Sequence, residues 1–281
     1  MSTGVDTASG KSQATENFPV ASWLITPAFR PAIHAFYRFA RTADDIADHP
    51  QMEAQEKLER LDHLVQALSG TSSEPICDDL IREAGQLGVS LVHALDLLDA
   101  FRLDVTKRRY VDWDDLIAYC AKSAMPVGRY VLDVHGEDRA TWGPSDSLCA
   151  ALQVINHLQD CADDFIELDR VYVPVAELGQ FGETPAALCA RSSSPALRQV
   201  FNHLLDRTQT LLDHSRALAP MISDYRLRME VSVIQSVAER LVGKLRRQDP
   251  LQTRVKLSAI GYVSALGHGI FNGLFARRSM P

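Results

Sequence analysis

The chain has 281 residues and a net charge of −7, with 46% hydrophobic and 23% charged residues. This length and apolar content are enough for a packed core, and they exclude collagen-like, low-complexity and disordered chains. The negative charge provides no basic field, so we expect no nucleic-acid partner. The five cysteines form an odd number without a close pair, which favours free thiols and a cytoplasmic location.

The first 17 residues combine small polar residues with a few charges and contain no apolar stretch. They predict a disordered leader rather than a signal peptide. From residue 18 to residue 281 apolar side chains recur with the helical period, as in Leu58, Leu61 and Val65, while strand patterns are scarce. We therefore predict one all-α domain over residues 18–281.

Residues 257–275 contain no aspartate, glutamate, lysine or arginine. A membrane span takes about 20 apolar residues, but this stretch is diluted by Ser258, His268, Asn272 and four glycines. We predict a last helix packed on the core. A helix that also contacts a membrane surface, with Arg277 and Arg278 beside anionic head groups, is the second interpretation.

Two stretches place aspartates four residues apart within helical patterns, Asp44 with Asp48 and Asp160 with Asp164. This spacing puts each pair on one helix face, where like charges repel and aspartate is a poor helix former. A bound cation would offset the repulsion, although solvated acidic faces remain the simpler explanation. Oxygen ligands without a histidine or cysteine cluster suit Mg²⁺ or Mn²⁺, which also bind phosphate oxygens. With Asn156 one turn before Asp160, the pattern predicts a diphosphate site that contains Mg²⁺.

These motifs resemble those of the head-to-head prenyl synthases, the family of squalene, phytoene and dehydrosqualene synthases. The likeness extends over residues 18–254 and includes the run Arg170-Val-Tyr172-Val-Pro174 after the second motif. It implies an all-α isoprenoid-synthase bundle with a central cavity, in which two aspartate motifs bind diphosphate through Mg²⁺. A presqualene diphosphate or other prenyl diphosphate substrate is implied as the small-molecule partner.

The resemblance also assigns roles to individual residues. The implied metal ligands are Asp44, Asp48, Asn156, Asp160 and Asp164. The implied catalytic residues are the same four aspartates together with Tyr119. The implied substrate-binding residues are Phe18, Tyr37, Arg41, Gln153, Asn156 and Arg254.

Within the family, residues 17–22, 43–49 and 119–128 are most similar to the bacterial hydroxysqualene synthases of hopanoid biosynthesis. The implied reaction is Mg²⁺-dependent ionisation of presqualene diphosphate, rearrangement of the carbocation and capture by water. Gln159 stands where many condensing relatives have arginine, so a diphosphate contact for condensation is missing. Condensation of two prenyl diphosphates remains the first alternative, and a non-catalytic subunit with the family fold remains the second.

Two long helices are predicted around these residues. Apolar spacing from Leu148 to Phe165 predicts one helix that runs through the second motif. Residues 116–134 predict another, which Pro126 kinks because proline has no N–H for the carbonyl of Lys122. That carbonyl and the hydroxyl of Ser123 predict a bound water beside the implied cavity.

Overall fold

The computed structural model describes residues 24–275, so the predicted leader and Phe18 lie outside the described residues. Within this range the all-α prediction is confirmed, and the single β feature is an isolated bridge between Arg109 and Val171. The helices are α1 Arg30–Ala47, α2 Ala54–Leu68, α3 Pro75–Gln86, α4 Val92–Thr106, α5 Trp113–Ser123, α6 Met125–Val134, α7 Trp142–Gln159, α8 Cys161–Leu168, α9 Val175–Gln180, α10 Pro195–Ser215, α11 Leu218–Met221, α12 Tyr225–Leu245 and α13 Ala259–Phe275.

Side-chain caps explain where several of these helices begin. The carboxylate of Asp112 accepts a hydrogen bond of 2.9 Å from the backbone N–H of Asp115 at the start of α5. The hydroxyl of Ser194 accepts one of 2.9 Å from Leu197, and Pro195 occupies the first turn of α10. Each cap satisfies an N–H that has no partner inside the helix, which fixes the helix start.

The two long helices predicted from the sequence are each broken. Residues 116–134 divide at Ala124, which has φ −125° and ψ −46°, so Pro126 lies in the first turn of α6 rather than inside a helix. Proline is tolerated in a first turn because its missing N–H is unpaired there in any case. Residues 148–165 divide at Asp160, which has φ −109° and ψ 9° and separates α7 from α8. Aspartate gains little from a helix interior, which favours the break at this position.

Buried apolar side chains form two clusters. The first is built from α1 to α4, together with Tyr130 and Val134 of α6. The second contains most of the core from residue 110 onward. The ring of Phe36 stacks on Tyr130 at 4.0 Å, and the Tyr130 hydroxyl donates to the carbonyl of Ala32, so α6 holds α1 in place. Helix α1 thereby faces the second cluster across an open space that the next subsection describes.

The predicted last helix is present as α13 and lies against α12. Gly269 and Gly273 approach the backbone of Val233 and Met229 so closely that a Cβ at either glycine would overlap it. The outer face of α13 is apolar and exposed, most of all at Ile260. None of the helices within residues 24–275 is both long enough and apolar enough to cross a bilayer.

Candidate active site

A cavity of about 410 Å³ lies between α1, the α5–α6 break, α7 and α12. Its size is typical of a small-molecule site, and most of its lining is aliphatic or aromatic. Three residues named from the sequence line it, namely Tyr37, Gln153 and Asn156. The central cavity implied by the resemblance is therefore present in the described fold.

The two aspartate motifs continue from this lining along the same helices. On α1, Arg41 and Asp44 follow Tyr37 by one and two turns, and on α7 Asp160 follows Asn156 by one turn. Both motifs reach a helix end, since Asp48 follows the last residue of α1 and Asp160 follows the last residue of α7. The motif residues thus gather at the end of the cavity that Tyr37 and Asn156 line.

Arg170 links the two motifs to each other. Its guanidinium Nη1 donates to the Asp48 carboxylate at 2.7 Å, and its backbone N–H donates to the carbonyl of Asp164 at 3.0 Å. Its Nε donates to the carbonyl of Asp104 at 2.8 Å. With only 4% of its surface exposed, Arg170 is a buried cation that holds both motifs at one place.

Arginines balance the remaining aspartates. Arg41 pairs with Asp44 at 2.9 Å and with Asp45 at 2.6 Å. Arg254 forms a two-pronged pair with Asp160, in which Nη2 lies 2.7 Å from Oδ2 and Nε donates to Oδ1. Something cationic was expected to offset the repulsion within the motifs, and within the described residues arginines of the chain itself lie against Asp44 and Asp160.

The motif residues have the right ligand atoms for Mg²⁺, but their side chains are not arranged as a preformed metal cluster. Among residues 24–275 no three acidic, histidine or cysteine side chains are arranged to hold a metal. The implied ligands are nevertheless all oxygen donors, and the side chains of Asp44 and Asp160 are 35% and 27% exposed. Mg²⁺ prefers a few carboxylates completed by water and phosphate oxygens, which matches an accessible and incomplete set.

Tyr119, implied as a catalytic residue, does not line the cavity. It is buried in a cluster with Tyr110 and Tyr172, and its hydroxyl donates to the carboxylate of Asp104 at 2.9 Å. The Tyr172 hydroxyl donates to the same carboxylate at 2.9 Å. Tyr119 therefore lies outside the cavity lining, in a network that also contains Arg170.

Sequence reasoning missed Asp104, which is the centre of this network. Its signal was present, because Asp104 falls one turn after Ala100 and two turns after Leu97 on the buried face of α4. Burial raises the pKa of Asp104 to about 6, although the nearby Arg170 opposes this shift. Burial also raises the pKa of Tyr119 well above its usual range, so its hydroxyl remains a hydrogen-bond donor.

His157, next to Asn156 on α7, is buried and stacks on the Tyr172 ring at 3.6 Å. Burial lowers the pKa of His157 to about 3, with a further contribution from Arg170. The imidazole is therefore neutral at physiological pH. The role of His157 in the described structure is therefore to stack on Tyr172. It adds no positive charge next to the motif aspartates.

Gln159, the departure from the condensing relatives, is 3% exposed and points into the protein. Its side-chain amide donates to the carbonyl of Val255, the neighbour of Arg254. Gln159 therefore fixes the segment that carries Arg254, and Arg254 in turn reaches Asp160. The glutamine has a structural role at the position where an arginine would add positive charge.

Comparison with known proteins agrees with this arrangement. Residues 12–260 match the family model described as squalene/phytoene synthase. The chain belongs to the squalene/phytoene synthase family. A hydroxysqualene synthase from Rhodopseudomonas palustris is 50% identical over 99% of this chain and 96% of that protein. A hydroxysqualene synthase from Sinorhizobium fredii is 48% identical over 96% and 92%, respectively.

A solved structure provides a further comparison within the squalene/phytoene synthase family. The squalene synthase from Alicyclobacillus acidocaldarius superimposes with a TM-score of 0.74 at 33% identity and covers 84% of this chain and 90% of that chain. The family and fold predictions made from the aspartate motifs are therefore confirmed. The roles of individual residues remain predictions.

Proposed function

We propose that this chain is a hydroxysqualene synthase, which converts presqualene diphosphate and water to hydroxysqualene and diphosphate. The observation that carries the proposal is 50% identity to a hydroxysqualene synthase over 99% of the chain. The site supports it, because acidic motifs adjoin an apolar cavity on the same helices. Such a site separates the charged end of a prenyl diphosphate from its hydrocarbon.

Mg²⁺ is the cofactor that this donor set suits. Asp44, Asp48, Asn156, Asp160 and Asp164 would hold it, and it would supply positive charge to the leaving diphosphate. Arg41 and Arg254 already lie against the motif carboxylates. These positions place both guanidinium groups where they could contact the leaving diphosphate, whose charge a guanidinium binds through two parallel hydrogen bonds.

The cavity then receives the carbocation that ionisation leaves behind. Its lining is mostly apolar and offers water few hydrogen-bond partners, which would limit premature quenching. The Tyr37 ring lies on the cavity lining. A cation–π interaction with such a ring stabilises a cation by about 1–2 kcal/mol when the pair is desolvated. Tyr119 would contribute indirectly, since its hydroxyl is bonded to Asp104, whose backbone carbonyl accepts from Arg170.

The two alternatives predict different products from one assay. Purified protein is incubated with presqualene diphosphate or farnesyl diphosphate, each with and without Mg²⁺ and NADPH. We expect hydroxysqualene and one equivalent of diphosphate from presqualene diphosphate with Mg²⁺ alone, and no turnover after chelation. A condensing synthase would instead consume farnesyl diphosphate to squalene or another polyene. A non-catalytic subunit would release no diphosphate from either substrate.

We also propose that the outer face of α13 contacts the cytoplasmic membrane surface peripherally. This face exposes Ile260, Val263 and Leu274, at 83%, 65% and 59%, and Arg277 and Arg278 follow it in sequence. Such a helix lies in the interface by burying its apolar side, and basic residues favour anionic lipid. The proposed substrate carries a long hydrocarbon chain, and the proposed C30 alcohol product is poorly soluble in water, which gives the contact a use.

Vesicle flotation tests this contact. We expect the parent chain to float with vesicles that contain phosphatidylglycerol, and the double variant Ile260→Gln with Val263→Gln to bind at least several-fold less. Val111→Gln, which removes another exposed side chain outside α13, serves as the matched control and is expected to float like the parent. Equal flotation of all three proteins would place the membrane contact elsewhere.

A further inference from the structure

The cavity wall carries one carboxylate, that of Glu230 on α12. It is the single acidic residue among the described residues that line the cavity, and only 4% of its surface is exposed. None of the four motif aspartates lines this cavity. Glu230 is therefore a separate acidic group, which neither the metal-ligand set nor the diphosphate contacts include.

Burial of the Glu230 carboxylate on this wall costs free energy. Burying an ionised carboxyl in apolar surroundings is unfavourable, and an apolar side chain of similar size would fill the same space more cheaply. Its neighbours on the wall, Leu227, Val231 and Ile234, are all aliphatic. Its place on this lining puts the Glu230 carboxylate within reach of a guest in the cavity.

A hydroxyl lines the same cavity at the break between α5 and α6. Ser123 is the last residue of α5, and its Oγ is buried yet makes no hydrogen bond to any described residue. Three residues on, Pro126 has no N–H to offer the carbonyl of Lys122. Buried hydroxyls are nearly always paired, so an unpaired one in a cavity wall indicates a small polar guest such as water.

We propose that Glu230 is the general base, and Ser123 the positioning residue, for the water that captures the carbocation. This proposal rests on the proposed hydroxysqualene synthase activity and deepens it. A lone pair of the water oxygen forms the new C–O bond to the cationic carbon. One water proton passes to the Glu230 carboxylate, and the second remains as the hydroxyl of the product. The Ser123 hydroxyl accepts from or donates to the same water and fixes its direction of attack.

The proposal accounts for an alcohol product in a cavity whose lining is mostly apolar. Loss of a proton from the carbocation itself would give a polyene, and both outcomes compete for the same intermediate. A positioned water next to a base favours the C–O bond because the proton leaves as the bond forms. The carboxylate also attracts the cation across a poorly screening cavity, which holds the intermediate close to the water.

The test measures products per diphosphate released. Glu230→Gln keeps the shape and removes the base, so we expect the alcohol share of the C30 products to fall by about tenfold or more, with polyenes in its place. Ser123→Ala removes one neutral hydrogen bond to the water, so we expect a fall of roughly two- to tenfold. In H₂¹⁸O, the alcohol that each variant still makes is expected to carry the label.

Glu239→Gln is the matched control, because it makes the same change on the same helix outside the cavity. It is expected to give the parent's product ratio. An unchanged alcohol share in Glu230→Gln, whatever its rate, overturns the assignment of the base. If Glu230→Gln does not fold, an unchanged share in Ser123→Ala overturns the proposal. Failure of the parent to release diphosphate from presqualene diphosphate would refute the proposed function instead.

Discussion

Replacing Asp48 by alanine is expected to abolish diphosphate release and also to lower the free energy of unfolding by about 3–5 kcal/mol. The stability loss arises because Arg170, 5% exposed at its side chain, would lose the carboxylate 2.7 Å away and remain buried with its charge. Repulsion between aspartates alone would predict the opposite sign, a gain in stability. Urea unfolding together with a diphosphate-release assay measures both quantities.

Asp44→Ala is the control for this prediction, since it removes the other aspartate of the same motif. Its partner Arg41 is more exposed and keeps Asp45 at 2.6 Å, so we expect a stability change below about 1 kcal/mol. Turnover is expected to be lost in both variants. Equal destabilisation of the two would mean that Arg170 does not depend on Asp48, and the buried bridge between the motifs would be wrong.

Replacing Gly269 by alanine is expected to destabilise the protein by about 3 kcal/mol, at the upper end of the range for overpacking. The new Cβ would lie 2.4 Å from Cα of Val233 and 2.7 Å from its backbone nitrogen, so the overlap is with the backbone of α12. A backbone cannot rotate away as a side chain can, so α13 must move off α12. Thermal unfolding measures the effect.

Gly267→Ala makes the same change two residues earlier on α13, where nothing lies within 4 Å of the new Cβ. Alanine is the better helix former, so this control is expected to stabilise by about 0.5–1 kcal/mol. A similar loss in both variants would show that the loss at Gly269 does not arise from overlap with the backbone of α12.

The features that could be predicted from the sequence are those set by residues close together in the chain. Helical periodicity and the caps at Asp112 and Ser194 depend on residues a few positions apart, so the helices and several of their starts could be predicted. The break at Asp160 could not, because the pattern of apolar residues continues through it. Local spacing cannot show that a carboxylate at that point is held by Arg254, 94 residues away.

Only part of the candidate site could be predicted, because the rest depends on contacts between residues far apart in the chain. Tyr37, Gln153 and Asn156 were named chiefly through the resemblance of the motifs to the family, and the structure has all three on the cavity lining. The wall behind them depends on long-range contacts. Asp104 joins Tyr172, 68 positions on, and no pattern around either residue indicates the pairing. Glu230 also gave no local signal, since one acidic residue in a helix usually faces solvent.

The arginine pairs at the motifs make metal binding a competition. In the free protein Arg41 and Arg254 lie against the carboxylates of Asp44 and Asp160, so a metal ion held there would share each carboxylate with a guanidinium or take its place. A diphosphate held at the same site would also attract these guanidinium groups, so each ligand would favour the binding of the other. Reciprocity of linked equilibria requires that substrate raise the affinity for metal by the same factor by which metal raises the affinity for substrate. The protein alone is therefore expected to hold Mg²⁺ weakly, and the two guests to bind cooperatively.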